Sequence, residues 1–102
     1  KMLRKYKNKL KKKNIGILGM AFKSDIDDTR DSLSIDLWEY LKKKKLNVKI
    51  SDNFVKMKEI IKTSELIKKS DIIIIGAPHT TYKNLKIPKN KFLIDSWGLF
   101  EK

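Results

Sequence analysis

Residues 19–32, Gly19-Met20-Ala21-Phe22-Lys23-Ser24-Asp25-Ile26-Asp27-Asp28-Thr29-Arg30-Asp31-Ser32, hold the densest set of chemically capable side chains in this 102-residue sequence. Two cations, Lys23 and Arg30, stand among Asp25, Asp27, Asp28 and Asp31. Apolar Ile15, Ile17 and Leu18 precede the run and an amphipathic stretch follows it, so a strand leads into a glycine-opened loop and the loop into a helix. Unpaired N–H groups and the positive end of the helix dipole converge at such a junction and bind anions. Lysine brings a compact point charge and arginine a rigid two-pronged fork, both suited to phosphate groups. A plainer reading stays open, in which the loop neutralises itself at the surface and its aspartates cap turns and the helix start. Calcium fits poorly. Asp25, Asp27, Thr29 and Asp36 fall on a calcium-loop register, but Arg30 stands where glycine is needed, Asp36 replaces the bidentate glutamate, and a strand precedes.

Two further residues carry chemistry. Asp52 ends the second apolar stretch, where a ribose-binding acid would sit in a dinucleotide-binding unit. The first turn, however, reads Gly16-Ile17-Leu18-Gly19 and continues Met20-Ala21-Phe22, not G-x-G-x-x-G. That favours turn chemistry for Asp52 and places the main cofactor-binding unit outside this chain. His79 follows the end of a strand; hydrogen bonding to the turn after Pro78 is favoured over a role near a site. Cysteine is absent, which removes disulfides, thiolate metal sites and a cysteine nucleophile and fits a reducing cytoplasm.

The elements that would hold these residues alternate between strand and helix. Lys1 to Leu10 has helical spacing at Met2, Leu3, Tyr6 and Leu10 and reads as the end of a helix from an upstream domain, with residues 1–13 as helix and linker. Ile15 to Leu18 is the first strand. Leu33, Leu37 and Leu41, with Trp38 beside them, form a helix capped by Ser32 or Asp31 and closed by lysines where the dipole favours cations. Asn47 to Ser51 alternates as a second strand; Phe54 to Ile61 reads as loop or short helix, and Ser64 to Lys69 as a short helix. Asp71-Ile72-Ile73-Ile74-Ile75-Gly76 has the unbroken β-branched character of a parallel strand buried on both faces. Thr80 to Leu85 is a short helix and Phe92 to Asp95 a last strand. This order predicts a Rossmann-like α/β three-layer sandwich with a parallel sheet of four or five strands and right-handed crossovers.

The chain is the size of one domain. Its net charge of +13 invites a nucleic-acid reading. The cations are nearly all lysines in runs such as Lys11 to Lys13 and Lys42 to Lys45, and only Arg4 and Arg30 can fork onto a base edge or phosphate. Solvated helix faces explain that pattern better than a nucleic-acid groove. No apolar run approaches the roughly 18 residues of a membrane span, and no signal-peptide apolar region follows the basic start. Neither nucleic acid nor membrane is therefore expected as a partner.

Ala21-Phe22-Lys23 followed by Asp27-Asp28-Thr29-Arg30-Asp31-Ser32 resembles the signature loop of the UDP-glucose/GDP-mannose dehydrogenases, in their C-terminal UDP-binding domain. Asp71-Ile72-Ile73-Ile74-Ile75-Gly76-Ala77 with His79, and Phe92-Leu93-Ile94-Asp95, are similar to two of that family's strands. The resemblance implies a nucleotide-sugar-binding domain over residues 14–102. Within it Phe22 and Lys23 would contact the UDP-sugar, the ammonium offsetting pyrophosphate charge, and Arg30 would reach the NAD held mainly by an upstream domain. Asp28, Asp31 and Ser32 would support those groups. It further implies a parent UDP-glucose 6-dehydrogenase-like enzyme that oxidises a sugar C6 hydroxyl to a carboxylate for polysaccharide precursors, by way of a cysteine on a central helical domain. This chain, lacking that cysteine and the NAD fingerprint, would be inactive alone and carry no catalytic or metal-binding residue; the parent would be a homo-oligomer. Glucose-specific relatives often place an arginine after the last strand, where this chain reads Asp95-Ser96-Trp97-Gly98, so Trp97 would pack on a base, a neighbouring subunit or the core. A free-standing nucleotide or phosphate module and a nonspecific nucleic-acid binder are the alternatives.

Overall fold

Four short strands pair in one all-parallel sheet in the computed structural model, which describes residues 13–21, 32–77 and 79–95. They are β1 (Asn14–Leu18), β2 (Asn47–Ser51), β3 (Ile72–Ile75) and β4 (Phe92–Ile94), in the order β2-β1-β3-β4. β1 is central. It aligns Ile17 with Ile50 on one side and with Ile74 on the other. β4 pairs with β3 alone and leaves Phe92 and Ile94 exposed. The expected helix at Lys1 to Leu10 and the residues Phe22, Lys23, Asp28, Arg30, Asp31 and Trp97 lie outside the described residues.

Two helices cover opposite faces and complete three layers, as the strand–helix alternation predicts. α1 (Leu33–Lys43) lies over the face that carries Ile17, Met20 and Ile50, with Trp38 buried among them. α2 (Thr63–Lys69) and the 3-10 turn at Thr80–Asn84 lie over the other face, where Leu66, Ile67 and Tyr82 pack on Leu18, Ile73 and Ile75. α2 comes so close to β1 that a side chain on Gly16 would overlap Ser70 Oγ and Leu66.

Several boundaries differ from the sequence reading for definite reasons. Leu33 is 79% exposed and does not anchor α1. The inward line is Ser34 and Trp38, and Leu33 stands about 100° round the helix axis from Ser34. Ser32 is the N-cap: its hydroxyl accepts from Ile35 N–H at 3.3 Å. α1 ends in a Schellman arrangement in which Lys45 N–H donates to Lys42 O and Leu46 N–H to Leu41 O, with Lys45 at φ 60° where glycine is usual. The stretch from Phe54 to Ile61 is loop rather than helix; Ile60 forms a single parallel bridge to Ile50, and Ile61 N–H donates to Ile50 O at 3.0 Å. β3 is fully buried only at Ile73 and Ile75, because α1 sits over β2 and β1 and leaves Ile72 and Ile74 partly covered.

Candidate functional site

The strand order creates a switch point in the topology. β1 leads through α1 to β2 on one side, and the chain then crosses by α2 to β3 on the other side. The carboxyl ends of β1 and β3 therefore part in opposite directions, the position where open parallel sheets bind ligands. Gly19, Met20 and Ala21 follow β1 there, and Gly76 and Ala77 follow β3. Gly19 holds φ +96°, and any side chain on it would collide with Ala77. Its N–H donates to Ser51 O at 2.8 Å, and Gly76 N–H to Leu18 O at 2.7 Å, so β2, β1 and β3 stay laced at this end.

Ala21, after β1, and Ser32, the N-cap of α1, flank residues 22–31 in the sequence. Both ends are buried and tied together, since Ser32 Oγ donates to Met20 O at 2.8 Å. Of the site residues that the family resemblance implied, Ser32 is the one within the described structure. It starts α1 and ties it to the residues that follow β1.

A buried polar pair sits at the same edge. Asp52 follows β2 and His79 follows β3, on opposite flanks of β1, and they meet across its end. Asp52 Oδ2 accepts from Met20 N–H at 2.6 Å and lies 2.9 Å from His79 Nε2; Oδ1 accepts from Phe54 N–H at 2.6 Å and Val55 N–H at 2.9 Å. Both side chains are fully buried. Burial alone would raise the Asp52 carboxyl, but the hydrogen bonds from His79 and from the Val55, Met20 and Phe54 N–H groups outweigh it and hold the group below its ordinary value. An ionised carboxylate only accepts, so His79 Nε2 carries the shared hydrogen. Phe54 and Tyr82 flank the imidazole, with ring centroids 4.7 and 5.3 Å away. Burial pushes the Tyr82 hydroxyl far up, the Asp52 charge adds to this, and the Asn53 backbone opposes it.

This geometry decides what the pair does. A carboxylate offers about four lone-pair sites, and four protein donors fill those of Asp52. None is left for a ribose hydroxyl or for proton transfer to a ligand. Turn chemistry, the sequence reading for Asp52, is present in the Phe54 and Val55 contacts, but the same group also reaches β1 and β3. His79 reaches Asp52 through Nε2. Sequence reasoning missed the pairing although both residues stand just beyond parallel strands, because only the order of the sheet puts those strands on either side of β1. Among the described residues no cluster of three metal-ligating side chains exists and no helix is long and apolar enough to cross a membrane.

Residues 16–102 match the UDP-glucose/GDP-mannose dehydrogenase family, UDP binding domain. The chain belongs to that family. Its UDP binding domain shares 30% identity over 92 residues with a UDP-N-acetyl-D-mannosamine dehydrogenase from Methanococcus aeolicus, covering 79% of this chain and 21% of that protein. A protein of the same description from Methanocaldococcus jannaschii is 29% identical over 109 residues, covering 92% of this chain and 25% of that one. The chain thus spans about a quarter or less of the length of these relatives. In fold the domain is similar to part of a UDP-D-ManNAc dehydrogenase from Pyrococcus horikoshii, with a TM-score of 0.80 at 24% identity over 98% of this chain and 25% of that one.

Proposed function

We propose that residues 14–102 form the nucleotide-sugar-binding part of an NAD-dependent UDP-sugar 6-dehydrogenase that converts a sugar C6 hydroxyl into a carboxylate. One observation carries the reading: the residues that flank the stretch with Phe22, Lys23 and Arg30, Met20 and Ser32, are buried and hydrogen-bonded to each other at the carboxyl end of β1, beside the switch point of the sheet. Lys23 offsets the charge of the substrate pyrophosphate, Phe22 packs against the same ligand, and Arg30 points to the cofactor side. Asp28 and Asp31 hold the two cations. The names of the relatives favour a UDP-linked N-acetylated sugar over UDP-glucose, in keeping with Trp97 in place of an arginine after β4.

The first β–α turn of this chain does not suit NAD. It lacks the G-x-G-x-x-G fingerprint, and Asp52, in the place of the ribose-binding acid, has no acceptor site left. The cofactor therefore belongs to an upstream domain, to which residues 1–13 would lead, and this chain alone oxidises nothing. The soluble nucleotide-sugar chemistry of such an enzyme suits the cytoplasm, for polysaccharide precursors, with the parent protein as a homo-oligomer.

Calorimetric titration of the chain with UDP tests the reading. Saturable binding is expected, and Lys23→Ala is expected to weaken it about tenfold, or about 1.4 kcal/mol. Unchanged affinity in the variant would remove Lys23 from the site. An affinity for oligonucleotides equal to that for UDP, falling steeply with salt, would make the chain a nonspecific polyanion binder instead.

A further inference from the structure

We infer that the outer edge of β4 pairs with the same edge of a second copy of this chain, antiparallel, about a two-fold axis at Leu93. The inference does not depend on the ligand reading. β4 pairs with β3 on one side and, among the described residues, with no strand on the other. Phe92 N–H donates to Asp71 O at 2.9 Å, toward the β3 side. Successive residues of a strand direct their peptide groups to opposite edges, so the N–H and C=O of Leu93 point outward. Such an edge is a template for another strand. Its side chains divide between the two faces. Phe92 and Ile94 are 64% and 39% exposed on the face that α1 leaves uncovered, and Leu93 packs on the other, against the cluster under α2.

The stretch Lys91-Phe92-Leu93-Ile94-Asp95 is complementary to itself when reversed. Antiparallel pairing centred on Leu93 makes the two Leu93 residues exchange both N–H to O bonds, as their outward groups require. It sets Phe92 opposite Ile94 of the second copy, in the position without hydrogen bonds, where Cα atoms approach to about 4.5 Å and side chains meet. An aromatic residue against a β-branched one is a favourable cross-strand pair. Beyond them Lys91 stands opposite Asp95, twice by symmetry. Lys91 Nζ donates to Lys68 O at 3.0 Å on an exposed flank and keeps two further hydrogens. The Asp95 carboxylate interacts within its own chain and has lone pairs for more than one donor. A lysine beside an edge strand ordinarily keeps other strands away. Here the register that joins the apolar residues also gives that lysine a counter-charge. A slip of one residue would bring side chains from opposite faces together, and centring on Phe92 would set Lys91 against Leu93.

Sedimentation equilibrium of the chain at about 0.15 M salt tests the inference. Charges more than about 8 Å apart are largely screened there, which subdues the repulsion between two copies of net charge +13. A reversible monomer–dimer equilibrium is expected. Lys91→Asp and Asp95→Lys each set like charges against each other at both ends of the paired edge, and each is expected to weaken self-association about tenfold. An equimolar mixture of the two variants restores opposite charges at both ends and is expected to dimerise as the wild type does. Damage to the fold by either substitution would not be repaired by mixing. In the wild-type chain, hydrogen exchange of the Leu93 amide is expected to slow as chain concentration rises; if the variants do not fold, this measurement decides alone. A wild-type chain that stays monomeric up to about 1 mM overturns the inference, and shows that something other than a second copy covers this edge. A dimer indifferent to both substitutions, a mixture as weak as its components, or a Leu93 amide that ignores concentration overturns it as well.

Discussion

Replacing Asp52 by alanine tests how much of the fold depends on one carboxylate. The substitution removes four hydrogen bonds at once, at 2.6 to 2.9 Å. The Phe54 N–H is partly accessible and can turn to water, but Met20 N–H, Val55 N–H and the His79 ring nitrogen remain in a buried setting. Each buried donor without a partner costs about 1–3 kcal/mol, and entry of water into the vacated space recovers part of that. A net loss of about 3–5 kcal/mol is expected. A domain of this size holds about 5–15 kcal/mol in all, so the variant should stand close to its unfolding threshold. Asp52→Asn is expected to lose about 2 kcal/mol, because its amide oxygen still accepts while its NH₂ group confronts donors. Urea unfolding followed by tryptophan fluorescence and circular dichroism at neutral pH measures both. The same carboxyl sets a sign for pH. Its folded pKa lies below the ordinary value of 3.8, so its contribution is complete above that value and is lost as pH falls through the folded pKa. The stability gap between wild type and Asp52→Asn should therefore be level above about pH 5 and close in stronger acid. An Asp52→Ala chain within about 1 kcal/mol of wild type at unchanged urea slope would refute the reasoning.

Three other substitutions probe the elements around the site. Lys45→Gly should stabilise the chain by about 0.5–1 kcal/mol, since Lys45 occupies the left-handed position that closes α1; a loss of stability would show that its side chain contributes more than the strain costs. Ser32→Ala removes both the cap of α1 and the bond to Met20 O, and should cost about 1–2 kcal/mol in thermal unfolding while weakening UDP binding. Gly16→Ala should cost about 1–3 kcal/mol by driving α2 from β1; an unchanged melting temperature would mean that Leu66 can move aside.

The relation between sequence and site differs from residue to residue. The isoleucine run at Ile72–Ile75 and the alternation at Asn47–Ser51 declared their strands because a β-branched residue gains most on a pleated, buried surface. The cap at Ser32 was legible because a hydroxyl ahead of an amphipathic stretch has one productive use, the open N–H groups of the first turn. Leu33 misled because its spacing matched the apolar stripe, and only the position of Trp38 against the sheet fixed which way the helix faces. Asp52 and His79 were visible as single residues after strands, with no hint in their spacing that they would touch.

Local pattern thus determined the elements, their sequence and the stretch between β1 and α1 that sets Lys23 and Arg30 among four aspartates, since periodicity, caps and turns depend on near neighbours. The tertiary structure alone decided that β2 and β3 flank β1, and with that the switch point, the hydrogen bond between Ser32 and Met20, and the buried union of Asp52 with His79. Those features arise from contacts between residues 12 to 32 positions apart in the chain. They are fixed by which strands can be neighbours, and a linear pattern holds no record of that choice.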